Sequence, residues 1–226
     1  MLRKEEIIAL RLDEFMESST IIWAYGRESG LFKILAKGAR RVKSSLRMAF
    51  ELFSVSEVIY YYKPERELNV LKEGKILLSG EKIVENVEKY ELVSQCASYV
   101  LKAFPQGGGQ NFYPMFKKLI HTLQLTSKVN RKLYYYMVLK NLKIQGEMPR
   151  FDLCSKCGSE NVTFFSITSK LFLCHKCISE ENNLLMVDAG ILSELKFILE
   201  KDWHTLNSFE VRENTLKIIQ NLSGDL

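Results

Sequence analysis

Long apolar runs are missing from this chain. No stretch approaches the roughly 18 apolar residues that a membrane-crossing helix needs, and the opening MLRKEEIIALRLDE has no apolar leader core. The expectation is a soluble, cytoplasmic protein with no membrane partner. Phosphate-binding and hydrolytic signatures are missing as well. GxxxxGK[ST], GxGxxG, HExxH and GxSxG do not occur, and Gly107-Gly108-Gly109 runs into Gln110-Asn111 with no lysine to reach a phosphate. Histidine is scarce, three in 226 residues, and His121 and His204 read as surface or boundary residues rather than general bases. No enzymatic activity is expected. The five cysteines are an odd number with four in two close pairs, which argues for metal binding over a secreted disulfide framework.

Acids, too, are missing where it matters. Residues 33–47, KILAKGARRVKSSLR, hold Lys33, Lys37, Arg40, Arg41, Lys43 and Arg47 and not one carboxylate. Ser29 to Phe50 is free of acids, and so is Leu92 to Gly146, which carries Lys102, Lys117, Lys118, Lys128, Arg131, Lys132, Lys140 and Lys143. The formal charge of +5 conceals this: residues 178–226 hold nine of the 27 acids and four of the 32 bases, leaving 28 bases against 18 acids ahead of them. Unpaired lysine and arginine stay at the surface, so two acid-free blocks imply a polyanionic partner.

With 46% hydrophobic and 26% charged residues the chain can bury a core. EIIALRL, TIIWAYG, LFKILAKG, LFSVSEVIYYYK and ELNVLKE read as five short strands separated by turns such as Arg27-Glu28-Ser29-Gly30, enough for a small barrel of the OB-fold kind. From Ser79 the period becomes helical. Ile83, Val87, Tyr90, Val93, Ala97, Val100 and Leu101 predict a helix ending before Phe104-Pro105. PQGGGQN is a linker, Pro114 opens a second helix along Phe116, Leu119, Ile120 and Leu123, and a third covers about 130–144, all basic on their outer faces. Asp188 and Ser208 are expected to cap two closing helices, with Ile191, Leu195 and Ile198, then Leu216, Ile219 and Leu222, facing inward. The expected fold is α+β: an OB-fold β-barrel over 1–78, then a helical domain over 79–226 with an inserted four-cysteine zinc ribbon at 150–180.

Cys154-x2-Cys157 and Cys174-x2-Cys177, sixteen residues apart, match the zinc-ribbon spacing, since each close pair can bind one ion from a single turn. Gly158 eases the first turn, and 162–167 with 171–173 supply a hairpin. The expected cofactor is one structural Zn²⁺. Four thiolates leave no open position for chemistry, and His175 is not needed as a ligand. Arg150, Lys156, Lys170 and Lys176 offset the thiolate charge or contact phosphate; the sequence allows both. Cys96 lies on an apolar helix stripe and reads as a core residue, not a nucleophile. Trp23, Tyr25, Tyr60, Tyr61, Tyr62, Tyr134, Tyr135 and Tyr136 are candidates to stack on bases, although core packing suits Trp23 better and each tyrosine triplet must turn at least one ring inward.

ESSTIIWAYGRESGLFKILAKGARRVKSSL, followed by helices, a four-cysteine insert and two closing helices, resembles the bacterial RecO family of recombination mediators along the whole chain. Glu17, the Glu28-Ser29-Gly30 turn, and Lys37-Gly38-Ala39-Arg40 with Ser44 carry the likeness; Gly26 departs from an expected threonine, which touches turn geometry more than binding. The resemblance implies an OB-fold and a helical domain, in some members with structural zinc. It implies binding of single- and double-stranded DNA, annealing of strands coated by single-strand binding protein, and action with RecR to load RecA. Lys33, Lys37, Arg40, Arg41, Lys43 and Arg47 are the expected phosphate contacts. Lys117, Lys118, Lys128, Arg131 and Lys132 are expected to meet DNA or the acidic C-terminal tail of single-strand binding protein. An RNA-binding module of translation or transcription, and a thiol-dependent enzyme, are the alternative readings.

Overall fold

A computed structural model describes residues 1–63, 67–179 and 181–224, in two compact units, 1–129 and 130–226. Glu180, at the end of the expected insert, lies outside the described residues.

In the first unit, five strands close a barrel: β1 (Leu2–Phe15), β2 (Ser19–Gly26), β3 (Gly30–Ala36), β4 (Val55–Tyr61) and β5 (Leu68–Leu78), in the order β1-β2-β3-β5-β4. All five occupy the segments whose β-branched and aromatic residues announce them. Every pairing is antiparallel except β3 with β5, which match in parallel through Lys33 with Leu68, Ile34 with Asn69 and Leu35 with Val70. Alternation points Ile7, Ala9, Ile22, Ala24, Phe32, Ile34, Val58, Tyr60 and Leu71 into the barrel.

Helices α1 (Glu81–Val84), α2 (Val87–Ala103) and α3 (Tyr113–Leu125) complete this unit. The expected single helix from Ser79 is broken. Asn86 is extended, and its side chain accepts a hydrogen bond from the Lys89 N–H at 3.0 Å, capping α2 afresh. The break shifts the buried stripe: Val87 and Tyr90, expected inside, are exposed, while Leu92, Val93, Cys96, Ala97, Tyr99 and Val100 are buried. On α3 the expected Phe116, Leu119, Ile120 and Leu123 are all buried.

The glycine-rich linker has a docking place. The Gly107 N–H donates to the Leu31 carbonyl at 2.7 Å and the Leu31 N–H to the Gly108 carbonyl at 3.1 Å. This close approach needs Gly30, whose φ is +65° and where an added Cβ would stand 2.2 Å from the Gly108 oxygen. Tyr25 leaves the barrel on its outer side, donates to the Gly109 carbonyl, and packs against Phe104, Tyr113 and Phe116.

The second unit holds α4 (Leu133–Gln145), the short strands β6 (Phe164–Ser166), β7 (Leu171–Leu173) and β8 (Leu184–Met186), then α5 (Ala189–Glu200), α6 (Trp203–Asn207) and α7 (Glu213–Ser223). Asp188 caps α5 as expected, accepting from the Ile191 N–H at 2.8 Å. Ser208 does not cap the last helix. It sits at the C-terminal end of α6, which Asp202 caps through the Thr205 N–H, and α7 begins only at Glu213. On α5 the inward residues are Ile191, Leu195 and Ile198; on α7 they are Thr215, Ile218, Ile219 and Leu222, with Leu216 half-buried.

Gly30→Ala should destabilise the first unit by about 2 kcal/mol, combining a positive-φ penalty with the clash against the linker. Gly107→Ala, at φ +80° with nothing within 4 Å of the added Cβ, should cost about half as much. Urea unfolding of both variants checks the contrast.

Candidate metal centre and nucleic-acid interface

The four paired cysteines come together in the second unit. β6 pairs with β7 on one side and β8 on the other, and the hairpin carries Cys174 back to the Cys154-Cys157 turn. One Sγ from each of Cys154, Cys157, Cys174 and Cys177 lies within 4.8 Å of all the others, with Cys157 and Cys174 at 3.6 Å. Metal–thiolate bonds of about 2.3 Å set a tetrahedral edge of about 3.8 Å, so the cluster fits one four-coordinate ion. Each pair forms a tight turn: the Gly158 N–H donates to the Cys154 carbonyl at 2.8 Å, with Gly158 at φ +74°, and the Cys177 N–H to the Cys174 carbonyl at 3.0 Å. His175 is exposed, as expected of a residue the cluster does not require. Lys156 pairs with Glu181 at 3.1 Å, and the Ser166 and Ser169 hydroxyls donate to that same carboxylate. Arg150 reaches Asp152 at 3.5 Å.

Cys96 is wholly buried, and burial pushes its thiol up, away from thiolate character. Cys96 thus has the surroundings of a core residue, as its place on the apolar stripe suggested.

The basic loop leaves β3 at Ala36 and carries Lys37, Arg40, Arg41, Lys43 and Arg47, all exposed. Their roles differ. Arg40 is held by the neighbouring β1–β2 turn: it ion-pairs with Glu14, and its guanidinium donates to the Met16 carbonyl at 2.8 Å and the Glu17 carbonyl at 3.0 Å. Arg41 Nε donates to Ser18 Oγ at 3.3 Å. Lys37, Lys43 and Arg47 form no ion pair among the described residues. Arg40 thus fixes the loop against the turn while its neighbours project.

On the barrel's outer face, Trp23 of β2 lies between Arg11 of β1 and Lys33 of β3, each directly opposite it. The Arg11 guanidinium and Lys33 Nζ are each 4.2 Å from the Trp23 ring centroid, and the indole N–H donates to Asp13 at 2.7 Å. Core packing, the reading that suited Trp23 better, is not where it sits; it is half-buried on the outer face. Tyr25 and Tyr60 are buried, Tyr61 is exposed, and Tyr62 carries the Arg3 guanidinium 3.5 Å from its centroid. In α4, Tyr134 and Tyr136 are buried and Tyr135 is half-exposed.

Lys117 Nζ binds the Glu6 carboxylate at 2.7 and 2.8 Å, tying α3 to β1, and the Tyr113 hydroxyl donates to that carboxylate at 3.1 Å. Lys118, Lys128 and Arg131 are exposed; Lys132 pairs with Glu210. Lys140, expected on a basic outer face, is instead 6% exposed, donating to the Leu199 and Lys201 carbonyls at 3.2 and 2.9 Å. It satisfies the C-terminal carbonyls of α5.

Family models decide what these features belong to. A model described as recombination protein O N terminal matches residues 1–79, and one described as recombination protein O C terminal matches residues 85–226. The chain belongs to the recombination protein O family. A curated RecO relative named DNA repair protein RecO, from Halalkalibacterium halodurans, is 24% identical over 225 residues, covering 98% of this chain and 87% of that protein. Its namesakes from Bacillus subtilis and Acetivibrio thermocellus are both 25% identical, over 95% and 92% of this chain and 84% and 83% of their own lengths.

Two features of this chain escaped the sequence reading. Glu5 is a buried carboxylate, and Asn69 is a buried amide whose Oδ1 has no hydrogen-bond partner among the described residues. Strand parity held the signal: Glu5 shares its face with Ile7, and Asn69 with Leu71.

Burial pushes the Lys140 ammonium down from its ordinary 10.5 to about 8, with Lys143 adding repulsion. Between those values the unfolded chain binds more protons, so stability rises with pH. Relative to Lys140→Met, the wild type should therefore gain stability from pH 8 towards 10.5, as read by urea unfolding of the two proteins side by side.

Proposed function

We propose that this chain is a non-catalytic recombination mediator. It binds single- and double-stranded DNA, pairs complementary strands without nucleotide, and acts with RecR to help load RecA on strands coated by single-strand binding protein, at the nucleoid. The observation that carries this reading is the exposed, acid-free loop on an OB-like barrel within a RecO-family chain. The relatives' name, DNA repair protein, favours DNA over the RNA-binding alternative.

Lys37, Arg41, Lys43 and Arg47 neutralise phosphates, and Arg40 holds their loop in place. Such contacts position a strand and carry no sequence information. Lys33, beside Trp23, extends the basic surface along β3. Annealing is downhill, and its barrier is bringing two polyanions together; a basic surface lowers that barrier by screening and needs no hydrolysis. In the helical segments, Lys118 and Lys128 of the first unit and Arg131 of the second are candidate contacts for DNA or the acidic tail of single-strand binding protein. Lys117 and Lys132, paired with Glu6 and Glu210, are candidates on the same footing.

Zinc is the ion this donor set favours, since four soft thiolates in a tetrahedron suit it and leave no site for water. Its role is to hold residues 150–177 in their folded form.

Metal analysis of purified protein should return one zinc per chain. Cys154→Ser or Cys174→Ser should lose it and expose residues 150–177 to protease while the first unit unfolds as before; four freely titratable thiols in the folded wild type would reject the site. For DNA, about four phosphate contacts give a slope of log affinity against log salt near −3 on single strands, and reversing Lys37, Arg41 and Arg47 to glutamate should flatten it equally for all sequences. Unchanged affinity in that variant rejects the loop. An annealing time course on coated strands should show acceleration indifferent to ATP and lost when the coating protein's acidic tail is deleted.

A further inference from the structure

One end of the barrel opens into a cavity of about 670 Å³ in the first unit, near the size of small-ligand sites that occupy barrel mouths. Leu31, Phe32 and Tyr60 form its apolar wall, and Arg3 stacks on Tyr62 at its rim. Asn69 lines the same cavity. The residue is 6% exposed and points inward beside Ile34, yet its Oδ1 has no partner among the described residues. A buried amide oxygen left unpaired costs stability, and leucine, which branches at the same carbon, would not incur that cost. The neighbouring buried polar groups are satisfied: Glu5 accepts from the Glu28 and Ser29 N–H groups at 2.7 and 2.6 Å and from the Tyr60 hydroxyl at 3.0 Å. Asn69 is therefore the group in this mouth waiting for a donor.

Charge decides the class of ligand. Arg3 and Lys4 are balanced by Glu5, Glu28 and Glu67 among the lining residues, and Lys4 is already paired with Glu57. A phosphate or an acidic peptide would meet carboxylates here, whereas a neutral flat ring with an N–H would find an aromatic wall and an acceptor. From this we propose that the barrel mouth takes one extruded nucleobase of a bound single strand, with the Asn69 amide on its hydrogen-bonding edge and the Arg3–Tyr62 stack at its face. Every base presents a donor beside an acceptor on that edge, and one amide matches such a pair whichever base enters. The pocket thus detects the presence of a base and not its identity. Residue Lys37 follows β3 directly, so a strand held by the basic loop reaches the mouth along about 20 Å of β3.

This proposal rests on the DNA-binding reading of the barrel, and the test separates the two. Affinity is measured for a single-stranded oligonucleotide of about 16 nucleotides and for an abasic oligonucleotide of equal length, with wild type and Asn69→Leu. The wild type should prefer the base-bearing strand. Asn69→Leu should lose about tenfold on that strand and nothing on the abasic one, with an unfolding midpoint no lower than wild type. Tyr62→Leu, at the rim, should weaken base-bearing binding several-fold in the same selective way. Equal loss on both strands, or no loss in either variant, overturns the base pocket while leaving DNA binding intact. A wild type that binds neither strand overturns the reading beneath it.

Discussion

Glu5 holds the first unit's architecture at one point. Its carboxylate is buried, and it accepts two backbone N–H groups from the β2–β3 turn and the hydroxyl of Tyr60 from β4. Three elements meet on one side chain, and removing it would take the shared acceptor from two turn amides and leave the Tyr60 hydroxyl with only that of Ser29. The turn so fixed presents Gly30 and Leu31 to the glycine linker, and the linker in turn sets where α3 begins. Gly26 belongs to the same arrangement: a Cβ there would stand 2.3 Å from the Glu5 oxygen, so the smaller residue accompanies the buried carboxylate.

Positive charge in this chain is spent on two tasks. Lys117, Lys132 and Lys140 bind carboxylates or carbonyls of their own unit, and Arg40 binds the turn beside it. Lys37, Lys43 and Arg47 are in no such arrangement among the described residues. Composition alone cannot separate the groups, because an acid-free run says nothing of acids that folding brings from elsewhere, such as Glu6 to Lys117 and Glu210 to Lys132.

The sequence was most legible where periodicity is strict. Five strands, the α3 stripe and the cysteine spacing all reappear in the structure because each follows from local geometry. It was least legible where one polar side chain overrides a pattern. Asn86 caps α2 afresh and turns Val87 and Tyr90 outward, Asp202 starts the short helix α6 and so leaves Ser208 at its C-terminal end, and Lys140 goes inside to meet helix carbonyls. Trp23 was misplaced for a related reason: an indole between two cations satisfies its ring without a core. Glu5 and Asn69 break the apolar alternation of their strands, and both breaks fall at the same end of the barrel.

The β3–β5 ladder joins residues 33 and 68 with three matched pairs, and it is the barrel's sole parallel pairing. The other four pairings form hairpins or longer antiparallel ladders, so the cylinder is a curled four-ladder sheet fastened along one short seam. Closing that seam requires the intervening strands to be in place first, which makes it a late event in folding and the cheapest line along which the closed cylinder can part. The barrel is in this sense a clasp, and its hinge side and its opening side are already distinct in the hydrogen-bond pattern.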